Sequence, residues 1–177
     1  MQNELVTLVD ADDRELGTMD KLLAHVQGRL HRAFSLLVFN SNCEFLMQQR
    51  SEFKYHSAYL WTNTCCSHPR PGEDVKAAAH RRLMEEMGLD CELELKSKFV
   101  YKCDFDEGLH EHELDYVLTS ISDSTPNANP NEVKSWKWMS VEDIEADLKL
   151  HPEEYTFWFK EMAEKGLLHK LRSPVVA

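Results

Sequence analysis

The sequence predicts a single α/β or α+β domain built on a mixed β-sheet flanked by helices. Three observations predict it. Strand-like apolar runs come before a long helical pattern, more strand-like runs follow it, and helices close the chain. The 177 residues are enough for one hydrophobic core without disulfide staples. No repeat, low-complexity tract or linker interrupts them.

Leu5-Val6-Thr7-Leu8-Val9 reads as a first strand, closed by the turn-forming Asp10-Ala11-Asp12-Asp13. Thr18 or Asp20 can cap a short helix through Leu22, Leu23 and Ala24. Ala33 to Phe39 is nearly continuous apolar sequence, and Phe45-Leu46-Met47 follows, so a hairpin of two buried strands is expected. Residues 51 to 60 are polar and aromatic, a loop. From Glu73 to Met87 the pattern is helical, with Val75, Ala79, Leu83 and Met87 as the buried stripe and Gly88 at the C-terminal cap. Phe99–Asp104, Glu113–Ile121 and Lys134–Met139 read as strands. Ser140 with Asp143 starts a helix to about Leu150, and Pro152 suits the first turn of a last helix through Met162.

The net charge of −11 excludes classes of partner. An acidic surface repels nucleic acid and anionic membranes, so neither is expected. Met1-Gln2-Asn3-Glu4 has no basic stretch followed by an apolar run, and no window approaches transmembrane length. Five cysteines without scaffold-like spacing fit reduced thiols in the cytoplasm, and a monomer is expected. The C-terminal Ser173-Pro174-Val175-Val176-Ala177 carries no readable signal.

Chemistry concentrates in three places. On the 73–87 helix, Arg82 and Glu86, like Arg81 and Glu85, lie one turn apart. Charges alone would describe a solvated face laced with ion pairs. The whole spacing of Glu73, Arg81, Glu85-Glu86 and Gly88 says more, because clustered carboxylates hold Mg²⁺ and the metal grips a diphosphate. Lys21, Arg50, Lys54 and Arg82 are the candidate cations for that diphosphate. The second place is His25, His31, His68, Glu111 and Glu113. Glu111 and Glu113 are two apart, so an extended strand projects both from one face, while His110 and His112 face away. Mixed imidazole and carboxylate donors suit Mn²⁺, Fe²⁺ or Zn²⁺. The third is Cys66 with Trp61, Tyr101 and Trp158. A buried inert thiol is the ordinary state of such a cysteine, whereas adjoining metal and cations are expected to lower its pKa and make it reactive.

The helix resembles the Nudix box, with Ser67 standing at its first glycine and Arg82 at a metal-binding glutamate. More specifically, Thr62-Asn63-Thr64-Cys65-Cys66-Ser67-His68-Pro69, Leu60-Trp61-Thr62-Asn63, Leu30-His31-Arg32-Ala33-Phe34-Ser35 and Glu111-His112-Glu113 resemble the type I isopentenyl diphosphate isomerase family. That resemblance runs from Lys21 to Trp158 and implies a Nudix-like core over about residues 30–163 of a single domain, 1–177. It implies interconversion of isopentenyl and dimethylallyl diphosphate in isoprenoid biosynthesis, with Cys66 and Glu113 as the catalytic pair. It implies Mn²⁺ or Zn²⁺ on His25, His31, His68, Glu111 and Glu113, and a Mg²⁺ bridging the diphosphate from Glu86 and the Cys66 carbonyl. Lys21, Arg50, Lys54, Arg82 and Trp61 are the implied substrate contacts. Tyr101 is to support Glu113 as proton donor, and Trp158 is to face a carbocation. No flavin or nicotinamide is needed, since no electrons move.

Two other readings stay open at this point. One is a Nudix hydrolase of nucleoside diphosphate derivatives, which Arg82 and the neighbouring thiol argue against. The other is a non-catalytic, metal-stabilised binding module. A zinc ribbon is excluded, because no two cysteine pairs have ligand spacing.

Overall fold

A computed structural model describes residues 4–105 and 108–172. The readings made on Met1–Asn3 and on Ser173–Ala177 lie outside the described residues. The described elements are nine strands and five α-helices around one mixed sheet.

Its centre is β3 (His31–Phe39), and the reason is compositional. Phe34, Leu36 and Val38 point to one face, Leu37 and Phe39 to the other, and all are buried. A strand apolar on both faces needs cover on both. The helix α2 (Val75–Met87) covers the first face with Ala78, Ala79, Leu83 and Met87. Helices α3 (Val141–Leu150), α4 (Phe157–Glu164) and α5 (Leu167–Leu171) cover the second with Val141, Ile144, Phe159, Met162 and Leu168.

β3 runs parallel to β8 (His110–Ile121) along its whole length, from His31 opposite Glu113 to Phe39 opposite Ile121. β7 (Glu94–Asp104) pairs antiparallel with β8 and places Tyr101 opposite Glu113. The other edge of β3 is shared. β1 (Leu5–Val9) meets it at His31, β6 (Cys65–Ser67) sets Cys66 opposite Ser35, and β4 (Phe45–Arg50) touches it only at Phe39. The expected β3–β4 hairpin is therefore joined at its turn alone. The strands then diverge, because β4 spends its ladder on β9 (Val133–Met139) and β5 (Trp61–Thr62).

Other expectations are corrected likewise. β2 (Glu15–Asp20) was not apparent in the sequence. It is an edge strand with mostly exposed or half-exposed side chains, held to β1 by backbone bonds that leave no apolar alternation to read. Asp20, not Thr18, caps α1 (Lys21–Val26), accepting from the Leu23 amide at 3.0 Å. Pro152 opens a 3₁₀ turn, not α4; Tyr155 and Thr156 are extended, and Thr156 donates its amide to the Trp61 carbonyl. Gly88 does end α2 with a left-handed φ of 63°. A β-carbon there would lie 2.6 Å from the Asn127 carbonyl oxygen.

Gly88→Ala combines a strained φ with a backbone clash. It should lower stability by about 2 kcal/mol or more and the melting temperature by roughly 4–8 °C, measured by calorimetry.

Candidate active site

The register just described assembles the site. Side chains directly opposite in paired strands share a face, so Tyr101, Glu113 and His31 form one row across β7, β8 and β3. Cys66 projects beside Ser35 on the far side of β3, and His68, two residues on, follows it to the same face. The loop at residues 51–60 and α1 close over this floor, and Trp158 comes in from α4. Together they bound a cavity of about 240 Å³ lined by Cys66, His68, Tyr101, Glu111, Glu113 and Trp158, with the cations Lys21, Arg50, Lys54 and Arg82 around it.

Four predicted ligands converge on one point. Glu113 Oε1 lies 2.9 Å from His68 Nε2, 3.5 Å from His31 Nε2 and 3.9 Å from His25 Nε2, with 3.2 Å between the His31 and His68 nitrogens. All four side chains are buried. His25 and His31 each donate Nδ1–H to a backbone carbonyl, of Lys21 and Arg29, both at 2.7 Å. That leaves lone pairs on both Nε2 atoms, aimed at an anionic oxygen. Such a cluster repels itself unless a cation sits in it. Ligands about 2.1 Å from one ion are spaced roughly 3–4 Å from each other, as these are. The donor set thus fits a divalent cation.

Glu111 is separate from that group. Tyr101 donates to both carboxylates, at 2.9 Å to Glu111 and 2.6 Å to Glu113. The other Glu111 oxygen faces His56 at 3.3 Å. The two carboxyls titrate apart. Burial raises Glu113, but the imidazoles of His68 and His31 outweigh it and hold Glu113 well below the usual carboxylate range. Burial and the Glu113 charge push Glu111 well above it. Burial holds His68 at about 4, so it stays neutral and able to ligate.

The protein's own cations do not lower the Cys66 pKa as expected. Burial pushes the thiol up to about 12, and Arg50, whose Nη1 is 3.9 Å from Sγ, offsets only part of that. Cys66 holds its proton. Arg50 also donates to the carbonyls of His56 and Ser57 and lies over the Trp158 ring at 5.2 Å, so it clamps the loop as well as lining the cavity. Lys21 pairs with Glu4 at 3.0 Å; Lys54 and Arg82 both pair with Glu132 and Glu86. Glu86 is buried behind these cations, with its other oxygen bonded by Gln48 at 2.9 Å. Trp61 is not brought to the cavity. It sits on β5 under Lys137, whose Nζ is 4.2 Å from the ring centroid. Trp158 does line the cavity, anchored by Nε1–H to Asn63 Oδ1 at 3.1 Å. Ser67 has no left-handed φ, so its backbone suits a residue with a β-carbon.

Sequence reasoning missed Glu4, Ser35, His56, Asp115 and Glu132. Ser35 donates to buried Asp115 at 2.7 Å beneath Glu113. A serine inside the apolar run of β3, and a third acid in step with Glu111 and Glu113, were the available signals. Glu4, His56 and Glu132 carried none.

The NUDIX domain family matches residues 29–159. Solved structures share the fold. A Deinococcus radiodurans protein, DR0079, aligns with a TM-score of 0.71 at 19% identity, over 92% of this chain and 98% of that one. A Methanosarcina mazei MutT protein gives 0.64 at 19% identity, over 82% and 96%. The isopentenyl-diphosphate Delta-isomerase of Pectobacterium atrosepticum is 49% identical over 88% of this chain and 87% of its own. That of Serratia proteamaculans is 46% identical over 89% and 88%. The chain belongs to the NUDIX domain family and, within it, to the isopentenyl-diphosphate Delta-isomerases. Among the described residues, no helix is long and apolar enough to cross a membrane.

Two outcomes follow. Zn²⁺ at 100 times its Kd should stabilise the chelator-treated protein by about 2.7 kcal/mol, a melting shift of roughly 5–10 °C, and His31→Ala should reduce the shift at the same Zn²⁺ concentration. Mapped by mass spectrometry, alkylation of Cys66 in chelator-treated protein should keep accelerating above pH 9, where an unperturbed thiol of pKa about 8.5 levels off.

Proposed function

We propose that this chain interconverts isopentenyl and dimethylallyl diphosphate with Cys66 and Glu113 as its acid–base pair, acting as one domain over residues 1–177. The observation that carries the reading is that a thiol and a carboxyl from strands on opposite sides of β3 line one cavity beside a ring of cations. Shifting an unactivated double bond requires a proton on one carbon and the loss of another two bonds away, through a tertiary carbocation. Groups on both faces of the alkene are therefore required, and water must be kept out.

Glu113 with Tyr101 serves one face and Cys66 the other; one gives a proton while the other takes one, and the roles exchange in reverse. The Trp158 ring on the cavity wall offers an electron-rich face to the cation. Lys21, Arg50, Lys54 and Arg82 hold the diphosphate as a handle, not a leaving group. Trp61 supports the fold beside them. His25, His31, His68 and Glu113, with Glu111 alongside, would hold Mn²⁺ or Zn²⁺, which supplies positive charge that orients Glu113. Glu86 and the Cys66 carbonyl would hold a Mg²⁺ against the diphosphate. The setting is cytoplasmic isoprenoid synthesis by a monomer.

Incubation in D₂O with metal and isopentenyl diphosphate should place deuterium in dimethylallyl diphosphate, read by mass spectrometry. No incorporation would refute the isomerase reading; phosphate release from nucleotides instead would favour a hydrolase. Cys66→Ala and Glu113→Gln should each abolish exchange with the fold intact. Trp158→Phe should slow it on the order of 30-fold if a cation–π contact of about 2 kcal/mol is lost.

A further inference from the structure

Neither the acid–base pair nor the metal positions use Glu132, yet it lines the cavity and touches two of its cations. We propose that Glu132 is a positioning residue for the diphosphate: it holds Lys54 and Arg82 toward the cavity, so that both keep N–H groups for phosphate oxygens. This rests on reading those cations as the diphosphate handle.

The four side chains form a closed ring of alternating charge. Glu132 Oε2 pairs with Lys54 Nζ, and Glu132 Oε1 lies 3.2 Å from Arg82 Nη2. Across the ring, Glu86 Oε1 pairs with the same Arg82 nitrogen and lies 3.7 Å from Lys54 Nζ. The two carboxylates differ in depth. Glu86 is 1% exposed and lies off the cavity wall, whereas Glu132 is 25% exposed and forms part of that wall. Glu86 therefore draws the cations inward, and Glu132 draws them toward the ligand.

Arg82 shows what this leaves open. Its Nη1 donates to Glu85 at 2.7 Å and Glu86 and Glu132 share its Nη2, while Nε is buried with no partner among the described residues. A buried N–H without an acceptor is costly, and a phosphate oxygen is an acceptor suited to a guanidinium. Lys54 has three N–H donors for its two carboxylate neighbours.

Main-chain bonds fix Glu132 where three elements meet. The Ser51 amide donates to the Glu132 carbonyl at 3.0 Å and Ser51 Oγ donates to the Asn131 carbonyl at 2.6 Å, at the start of the covering loop. The Glu132 amide donates to the Asn129 carbonyl, and the Asn129 amide to the Glu86 carbonyl, both at 2.9 Å, which ties the segment to α2. A carboxylate anchored in this way limits the rotamers of two long side chains before a ligand arrives. By charge alone, removing an acid from a phosphate site would tighten binding. Placement outweighs charge here, because without Glu132 the Lys54 ammonium is free to close on buried Glu86 and leave the cavity.

The test is binding of inorganic pyrophosphate in the presence of Mg²⁺, by titration calorimetry, beside steady-state kinetics on isopentenyl diphosphate. Glu132→Gln keeps the side-chain shape and removes the charge. It should weaken pyrophosphate about 10-fold and raise KM by a similar factor, with kcat changed less than about twofold. In a Lys54→Ala background the same substitution should weaken pyrophosphate less, since one of the two cations it places is gone. Unchanged or tighter pyrophosphate binding in Glu132→Gln, full additivity with Lys54→Ala, or a fall in kcat with KM unchanged overturns the role of Glu132. The diphosphate reading survives each of these outcomes provided that Lys54→Ala alone weakens pyrophosphate. If Lys54→Ala alone leaves pyrophosphate binding unchanged, the handle itself is overturned, and the role of Glu132 with it.

Discussion

Everything at this site depends on one electrostatic constraint. Three imidazoles are buried around Glu113 Oε1, two of them, His25 and His31, with Nε2 lone pairs turned inward by carbonyl-bonded Nδ1 atoms. Unpaired polar groups in such a place are costly, and a cation answers the cost while organising the wall of the cavity. Four separate stretches of chain meet there. α1 brings His25, β3 brings His31, the end of β6 brings His68 and β8 brings Glu113.

Strand register converts that constraint into a catalytic geometry. The parallel pairing of β3 with β8 sets His31 beside Glu113, and the antiparallel pairing of β7 sets Tyr101 on the other side. A slip of one residue in either ladder would turn Glu113 toward α2 and its apolar stripe. The same alternation puts Leu114 and Leu118 in the core while Glu111, Glu113 and Asp115 stay on the opposite face. One strand thus serves packing on one side and chemistry on the other.

The acidic chain reverses its charge locally by pairing. Lys21, Lys54 and Arg82 reach the cavity while held on Glu4, Glu86 and Glu132. These cations are placed before any phosphate arrives, so less order is lost on binding. Arg50 is held by loop carbonyls instead, which couples the thiol, the Trp158 ring and the covering loop through one guanidinium.

Much of this was legible in the residues. The apolar run of β3, the stripe of α2, the Gly88 cap and the two-residue step between Glu111 and Glu113 are local patterns, and local patterns survive folding because backbone geometry sets their periods. The short strands β2, β5 and β6 and the single-residue β3–β4 contact were not legible, since long-range ladders define them. The family resemblance named the ligands, the thiol and the cations, since three scattered histidines cannot be joined by local spacing. Only the tertiary structure decided that Trp61 faces away, that His56 meets Glu111, and that burial outweighs Arg50 to keep Cys66 protonated. The reason is physical: solvation and distance between remote segments set those outcomes, and neither is a property of neighbouring residues along a chain.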